Sequence, residues 1–180
     1  MEPTVPSLQD GLRPAARGPD GEATYAAIDL GTNNCRLLIA RPNGRHFRII
    51  DAFSRIVRLG EGLAGSGMLS EEAMARAVDA LKVCAHKVRR RAVTHIRGVA
   101  TEACRRASNC EGFLARVRAE TGLEIEIITS AEEAMLAFKG CSPLLSARRP
   151  RAVVFDIGGG STELGWLRLR SGRPPQILEI

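Results

Sequence analysis

Three consecutive glycines stand between two carboxylic acids in the segment VVFDIGGGSTELGW, where Asp156 precedes the glycines and Glu163 follows them. In a turn of glycine, serine and threonine, backbone N–H groups can converge on a bound anion, and the missing Cβ atoms let that anion approach the chain. The two carboxylates would repel a phosphate unless a divalent cation lay between them, and Mg²⁺ binds one or two carboxylates together with substrate phosphates. The segment therefore predicts a phosphate site that uses magnesium; the alternative is a plain glycine-rich hairpin with solvated acids.

A second segment, AAIDLGTNNCRLLIA, follows the same plan near the other end of the chain. Asp29 corresponds to Asp156, and Gly31 corresponds to Gly158. Each segment reads as an apolar strand, an aspartate, an aliphatic residue, a glycine, a small polar turn and a second strand. Such a repeat indicates two similar domains, the second opening near Arg151. Two matched loops favour phosphate binding over the plain hairpin.

The elements that must hold these loops alternate between strand and helix patterns. Ser70 is predicted to cap a long amphipathic helix, and Ser130 a later one. The segment CEGFLARVRAET predicts a further helix, which ends at Gly122. Apolar runs predict the strands TYAAIDL, CRLLIA, HFRIID, HIRGVA, LEIEII, RAVVFDI, TELGWLRL and QILEI. The order of these elements predicts an α/β fold with a mixed sheet.

Composition limits the class of protein. The chain has 180 residues, of which 44% are hydrophobic and 26% charged, and it lacks an apolar run of the roughly 20 residues that a membrane-spanning helix needs. The net charge of +6 suits an anionic partner, whereas the 4% aromatic content argues against specific nucleic-acid binding by base stacking. The first 23 residues are rich in Pro, Gly and charge, and they predict a disordered tail rather than a secretory signal. Five cysteines without a C-x-x-C pair indicate reduced thiols in a cytoplasmic protein.

The segments VATEACRRASN and TGLEIEIITSAEEAMLAF, with RLGEGL before them, resemble the Ppx/GppA family of exopolyphosphatases and guanosine pentaphosphate phosphohydrolases. The two glycine loops resemble those of the wider actin/hexokinase/heat-shock-70 ATPase superfamily. The resemblance implies a ribonuclease-H-like (actin-like ATPase) domain over 24–140, a connector over 141–150, and the incomplete start of a second, similar domain over 151–180. It also implies a cleft between the two domains, where the terminal phosphate is hydrolysed from inorganic polyphosphate or from pppGpp.

The resemblance further assigns roles to individual residues. A glutamate of the EEA motif, here Glu133, orients and deprotonates the attacking water. Asp156 and Glu163 match the acids that bind Mg²⁺. The residues that match phosphate contacts are Gly31, Thr32, Asn33, Arg36, Arg105, Gly158, Gly159, Gly160, Ser161 and Thr162. The family usually has arginine where this chain has Met135, which puts one local salt bridge or substrate contact in doubt.

Glu133 also has a purely structural interpretation. It stands three residues after Ser130, so the two residues are predicted to form a capping box. The resemblance favours catalysis by Glu133 over capping and leaves Glu132 as the acid without a role. It also selects Arg105 over the adjacent Arg106, a choice that the residue types alone do not make.

Two other functions stay open from the sequence. A sugar or acetate kinase of the same superfamily would share the two loops, although the ATEACR and EEA motifs argue against it. A non-catalytic module that binds polyphosphate or (p)ppGpp without turnover is the alternative from a different class. Because the second domain is predicted to be incomplete, we expect this chain to hydrolyse polyphosphate poorly unless a partner, such as the second chain of a homodimer, completes the cleft.

Overall fold

The computed structural model describes residues 23–44, 46–145, 148–170, 173 and 175–180. The predicted N-terminal tail, apart from Ala23, lies outside these residues. The strands are β1 (Tyr25–Leu30), β2 (Asn34–Asn43), β3 (His46–Ile56), β4 (His95–Ala100), β5 (Glu126–Ile127), β6 (Arg151–Ile157), β7 (Thr162–Arg168) and β8 (Gln176–Glu179). The helices are α1 (Leu63–Ser66), α2 (Glu71–Arg90), α3 (Glu102–Arg106), α4 (Cys110–Thr121) and α5 (Ser130–Cys141), and a 3-10 turn over Ser142–Leu144 follows them.

The first five strands form one mixed sheet in the order β3-β2-β1-β4-β5. β1 pairs antiparallel with β2 and parallel with β4, while β2 pairs antiparallel with β3 and β4 pairs parallel with β5. The carboxyl ends of β1 and β4 therefore lie side by side at one edge of the sheet. The predicted α/β class and its ribonuclease-H-like mixed sheet are confirmed.

One face of this sheet carries the larger core. α2 packs against β2, β3 and α4, and buries a stripe that includes Ala77, Leu81 and Cys84. The helix begins where predicted, because the Ser70 side chain accepts a hydrogen bond from the backbone N–H of Ala73 at 3.2 Å. No helix within the described residues is long and apolar enough to cross a membrane.

β6, β7 and β8 form a separate antiparallel sheet, and α5 packs against β6 and β7. A second core lies between them, in which Ala134 and Phe138 of α5 meet Leu167 and Leu169. Phe138 lies against Gly165, where a Cβ atom would collide with the aromatic ring. α5 thus joins the end of the first sheet to the face of the second.

Local predictions fail at four places. The strand predicted over LEIEII pairs only at Glu126–Ile127, because the chain turns into α5 directly after Ile128 donates its N–H to Ala100. Ser130 is not the cap of α5: the cap is Thr129, whose hydroxyl accepts the N–H of Glu132 at 3.2 Å. Two short helices, α1 and α3, stand where no helix was predicted.

Candidate functional site

Each of the two glycine loops is closed by an equivalent backbone hydrogen bond. The N–H of Gly31 donates to the carbonyl of Asn34 at 2.9 Å, and the N–H of Gly158 donates to the carbonyl of Ser161 at 2.9 Å. The strands that leave each loop also share a register, since Asp29 pairs with Arg36 in one hairpin and Asp156 with Glu163 in the other. The sequence repeat is therefore a repeat of backbone structure.

The two loops lie in contact with each other. A Cβ atom at Gly159 would come 3.0 Å from the Cβ of Asn33, and one at Gly160 would come 3.0 Å from the hydroxyl of Thr32. Such distances are tighter than ordinary Cβ contacts, so a larger residue at Gly159 or Gly160 would require the neighbouring loop to shift by a few tenths of an ångström. Glycine therefore favours this close approach of two backbones.

The first loop is held from outside by the chain that follows β3. The carbonyl of Asn33 accepts hydrogen bonds from the N–H groups of Val57 at 2.8 Å and Arg58 at 3.0 Å, and the carbonyl of Thr32 accepts one from Gly60 at 3.0 Å. These bonds direct the carbonyls of Thr32 and Asn33 toward the segment that follows β3. The first loop is therefore tied to the chain that follows β3 by backbone hydrogen bonds.

Carboxylates from both hairpins gather behind the loops. Asp156 and Glu163 are directly opposite in the antiparallel pair, so their side chains share one face of the second sheet, and Glu163 is only 8% exposed. Burial raises the pKa of Asp29; the Arg36 guanidinium, whose Nη1 lies 4.0 Å away, opposes this rise, and the charge of Asp156 adds to it. Asp29 and Asp156 are thus close enough for mutual repulsion, which a cation would relieve.

Glu133 lies in the same group and is paired with Arg105. Nη1 of Arg105 donates to Oε2 of Glu133 at 2.8 Å, and the two side chains are only 16% and 17% exposed. Burial raises the pKa of Glu133; Arg105 opposes this rise, while the nearby charges of Glu163 and Asp29 increase it. Glu133 is therefore a partly buried carboxylate with an increased affinity for a proton.

The structure separates each candidate from its neighbour in sequence. Glu132, rather than Glu133, occupies the glutamate position of a capping box, three residues after Thr129. The carboxylate of Glu132 accepts a hydrogen bond from Arg97 at 2.6 Å. The capping role predicted for Glu133 is therefore wrong, because the helix begins one residue earlier than the sequence pattern indicated. Arg105 lies inside, whereas Arg106 is 57% exposed at the surface.

The remaining predicted residues lie around this group or beside it. Ser161 and Thr162 complete the second hairpin, with Thr162 opposite Ile157 at the end next to the loop. Arg36 is mostly exposed and points toward Asp29. Met135 is partly buried in α5.

Sequence reasoning missed Glu102, which lies in α3. Its Oε2 accepts hydrogen bonds from Nε of Arg105 at 3.2 Å and from Nη2 at 3.0 Å. The spacing of Glu102 and Arg105, three residues apart on a short helix, is a signal that could have identified the pair. The signal was hidden because α3 itself was not predicted.

A dedicated metal site is absent from the described part of the chain: no group of three or more His, Cys, Asp or Glu side chains is arranged to hold an ion there. Asp156 and Glu163 nevertheless fit the requirement of Mg²⁺, which binds proteins through one or two carboxylates and takes its other ligands from water and substrate phosphates. The donor set is consistent with an ion that binds together with a phosphate ligand.

The chain is similar in sequence and structure to known phosphatases. The model of the Ppx/GppA phosphatase family matches residues 38–172. The Ppx/GppA family member from Aquifex aeolicus is 31% identical, with a TM-score of 0.73 over 88% of this chain and 51% of its own. An exopolyphosphatase from Cytophaga hutchinsonii is 31% identical, with a TM-score of 0.75 over 87% of this chain and 50% of its own. The chain thus spans about half the length of these solved structures.

Proposed function

The chain belongs to the Ppx/GppA phosphatase family, and we propose that its site hydrolyses the terminal phosphoanhydride bond of inorganic polyphosphate or of guanosine pentaphosphate. The observation that carries the proposal is the pair of matching loops, closed by equivalent hydrogen bonds and in contact with each other, with the partly buried Glu133 nearby. Backbone N–H groups on two sides suit a ligand made of linked phosphates, whose charge is spread over several oxygens.

In this proposal the loops bind and orient the phosphate chain. Thr32 and Asn33 contribute from one side, and Gly158–Thr162 contribute from the other. Arg105 presents a guanidinium at the same place, and a guanidinium fork matches two phosphate oxygens. Arg36, on the strand that leaves the first loop, adds positive charge for the more distant phosphates. The contact between the loops supports a shared ligand rather than two separate sites.

Glu133 accepts a proton from the attacking water. The water oxygen then bonds to the terminal phosphorus, the bridging P–O bond breaks, and the shortened chain leaves with the bridging oxygen. A general base works best when its pKa lies near the working pH, and burial raises the pKa of Glu133 above the usual glutamate value. Partial burial also keeps bulk water away from the reacting atoms.

Asp156 and Glu163 would hold Mg²⁺. When bound, the ion neutralises phosphate charge and offsets the repulsion between these carboxylates and the substrate. Two pairs of acids support this part of the proposal: Asp156 acts electrostatically on Asp29, and Asp156 lies opposite Glu163 in the hairpin. Carboxylates so placed repel one another without a cation. The reduced cysteines predicted from the sequence suit a cytoplasmic reaction, and all five are free thiols in the structure.

Phosphate release tests the proposal. The purified 180-residue chain is incubated with polyphosphate and separately with pppGpp, with and without Mg²⁺, and inorganic phosphate is measured. Binding of each ligand is followed by calorimetry in parallel. Mg²⁺-dependent binding together with release supports a hydrolase, and the more rapidly cleaved ligand identifies the substrate. Binding of both ligands without release, by this chain and by a complete enzyme that carries this domain, would instead favour the non-catalytic module. Release by the complete enzyme alone would show that the rest of the second domain is needed to complete the cleft, and absence of binding would contradict both functions.

A further inference from the structure

The Arg105 guanidinium is held along two of its edges. Nε and Nη2 donate to one oxygen of Glu102, and Nη1 donates both to Glu133 at 2.8 Å and to the carbonyl of Ile128 at 2.9 Å. An arginine has five N–H donors, and these bonds occupy four of them. Arg105 can therefore bind a phosphate through a fork of two N–H groups only if it gives up a bond that it already makes.

We infer that Glu102 is a positioning residue, which anchors Arg105 while the arginine exchanges Glu133 for a phosphate oxygen. The inference rests on the proposed function, because it names the phosphate as the incoming partner. Glu102 accepts hydrogen bonds from Nε and Nη2 of Arg105, so Nη1 can change its partner without displacement of the guanidinium. The exchange frees Glu133 from its ion pair at the moment when substrate is in place.

The location of Glu102 fits this role. It is the first residue of α3, which follows β4, and the N–H of the preceding residue, Thr101, donates to the carbonyl of Leu30 at the end of β1. Its Cγ atom lies 3.4 Å from the position that a Cβ of Gly160 would occupy. Glu102 therefore touches the second loop and grips the arginine at the same time.

The negative charge of Glu102 allows its positioning role to be distinguished from simple electrostatic repulsion of the phosphate. A carboxylate next to a phosphate site repels the ligand, so removing it should tighten phosphate binding if charge alone matters. If Glu102 positions Arg105, removing it should weaken binding, because the arginine is no longer held in place and pairs more fully with Glu133. The two interpretations predict changes of opposite direction.

The first experiment needs no ligand. The Nε–H resonance of Arg105 is followed by NMR in the wild-type chain and in the variants Glu102→Gln, Glu102→Ala and Glu124→Gln. We expect slow hydrogen exchange at Nε–H in the wild type and in Glu124→Gln, and fast exchange in Glu102→Ala. Glu124 is the matched control. Its carboxylate forms an exposed ion pair with Arg118, with 2.9 Å between Oε1 and Nε, and this pair lies away from the loops. Unchanged protection in Glu102→Ala would overturn the inference.

The second experiment measures tripolyphosphate binding by calorimetry in the presence of Mg²⁺, with thermal unfolding as a check that each variant is folded. Glu102→Ala should weaken binding about tenfold or more, the usual effect of losing hydrogen bonds to a charged group, and Glu102→Gln should weaken it less. Equal or tighter binding by the folded Glu102→Ala variant would overturn the inference. Failure of the wild-type chain to bind would contradict the proposed function instead, and the ligand-free experiment would still decide the role of Glu102.

Discussion

The aromatic ring of Phe138 in α5 lies directly against the backbone of Gly165 in β7. Phe138 belongs to the helix that carries Glu133 in its first turn, and Gly165 belongs to the strand that carries Glu163. Both residues are buried. This contact packs the helix that carries Glu133 against the strand that carries Glu163, so the second core brings two elements of the candidate site together.

Gly165→Ala should destabilise the contact between α5 and the second sheet. The added methyl group would collide with the Phe138 ring, and overpacking of this kind costs about 1–3 kcal/mol in the free energy of unfolding. Denaturant unfolding measures the loss, and hydrogen exchange over β6 and β7 should become faster. Gly112→Ala is the control: no atom lies within 4 Å of its new methyl group, and replacing a helical glycine by alanine stabilises by about 0.5–1 kcal/mol. Equal stability of the Gly165→Ala variant and the wild type would contradict the packing described here.

In a complete enzyme that carries this domain, Glu133→Gln should lower phosphate release by about 10²- to 10⁴-fold, the usual contribution of a general base. The amide keeps the shape of the side chain but cannot accept the proton of the attacking water. Glu132→Gln is the matched control, because its carboxylate pairs with Arg97 instead of Arg105. Steady-state phosphate release from polyphosphate measures both. A larger loss for Glu132→Gln than for Glu133→Gln would reverse the assignment of the base.

The sequence predicted the repeated loops and the elements around them, because strand patterns and turn residues act locally. It placed the cap of α5 one residue too late, at Ser130 instead of Thr129, because serine and threonine are both good caps. The position of β5 in the sheet decides between them, and this in turn determines which glutamate faces Arg105. The grip of Glu102 on Arg105 and the contact of α5 with β7 depend on tertiary packing, which no local pattern encodes.

Asp51→Asn should lower the unfolding temperature at neutral pH but not in strong acid. Lys87 donates to Asp51 at 2.7 Å and Arg91 donates at 2.9 Å, and these bonds lower the pKa of Asp51 to about 2. A lowered pKa means that the carboxylate contributes stability above its unfolded value of 3.8, and that this contribution is lost as the pH falls toward 2. Thermal unfolding from pH 2 to pH 7 measures the effect.

The control for Asp51→Asn is Asp79→Asn, whose carboxylate is mostly exposed and lies 3.7 Å from Lys82. Exposed ion pairs contribute little, so its unfolding temperature should stay near that of the wild type at every pH. A constant difference between Asp51→Asn and the wild type over the whole range would show that ionisation of Asp51 does not stabilise the fold.

Asp156→Asn should leave thermal stability equal or higher without Mg²⁺ and should weaken ligand binding with Mg²⁺. Without the ion, the substitution removes the repulsion between Asp156 and Asp29, so the unfolding temperature should stay equal or rise. With Mg²⁺, tripolyphosphate binding should weaken by at least about 10- to 100-fold, because changing a residue that only supports a metal ligand already causes a loss of that size. Asp79→Asn again serves as the control and should leave binding unchanged, since it lies on α2 away from the loops. Calorimetry at fixed Mg²⁺ concentration, together with thermal unfolding in the presence of a chelator, measures both effects. Equal losses of binding for the two variants would show that Asp156 does not hold the ion.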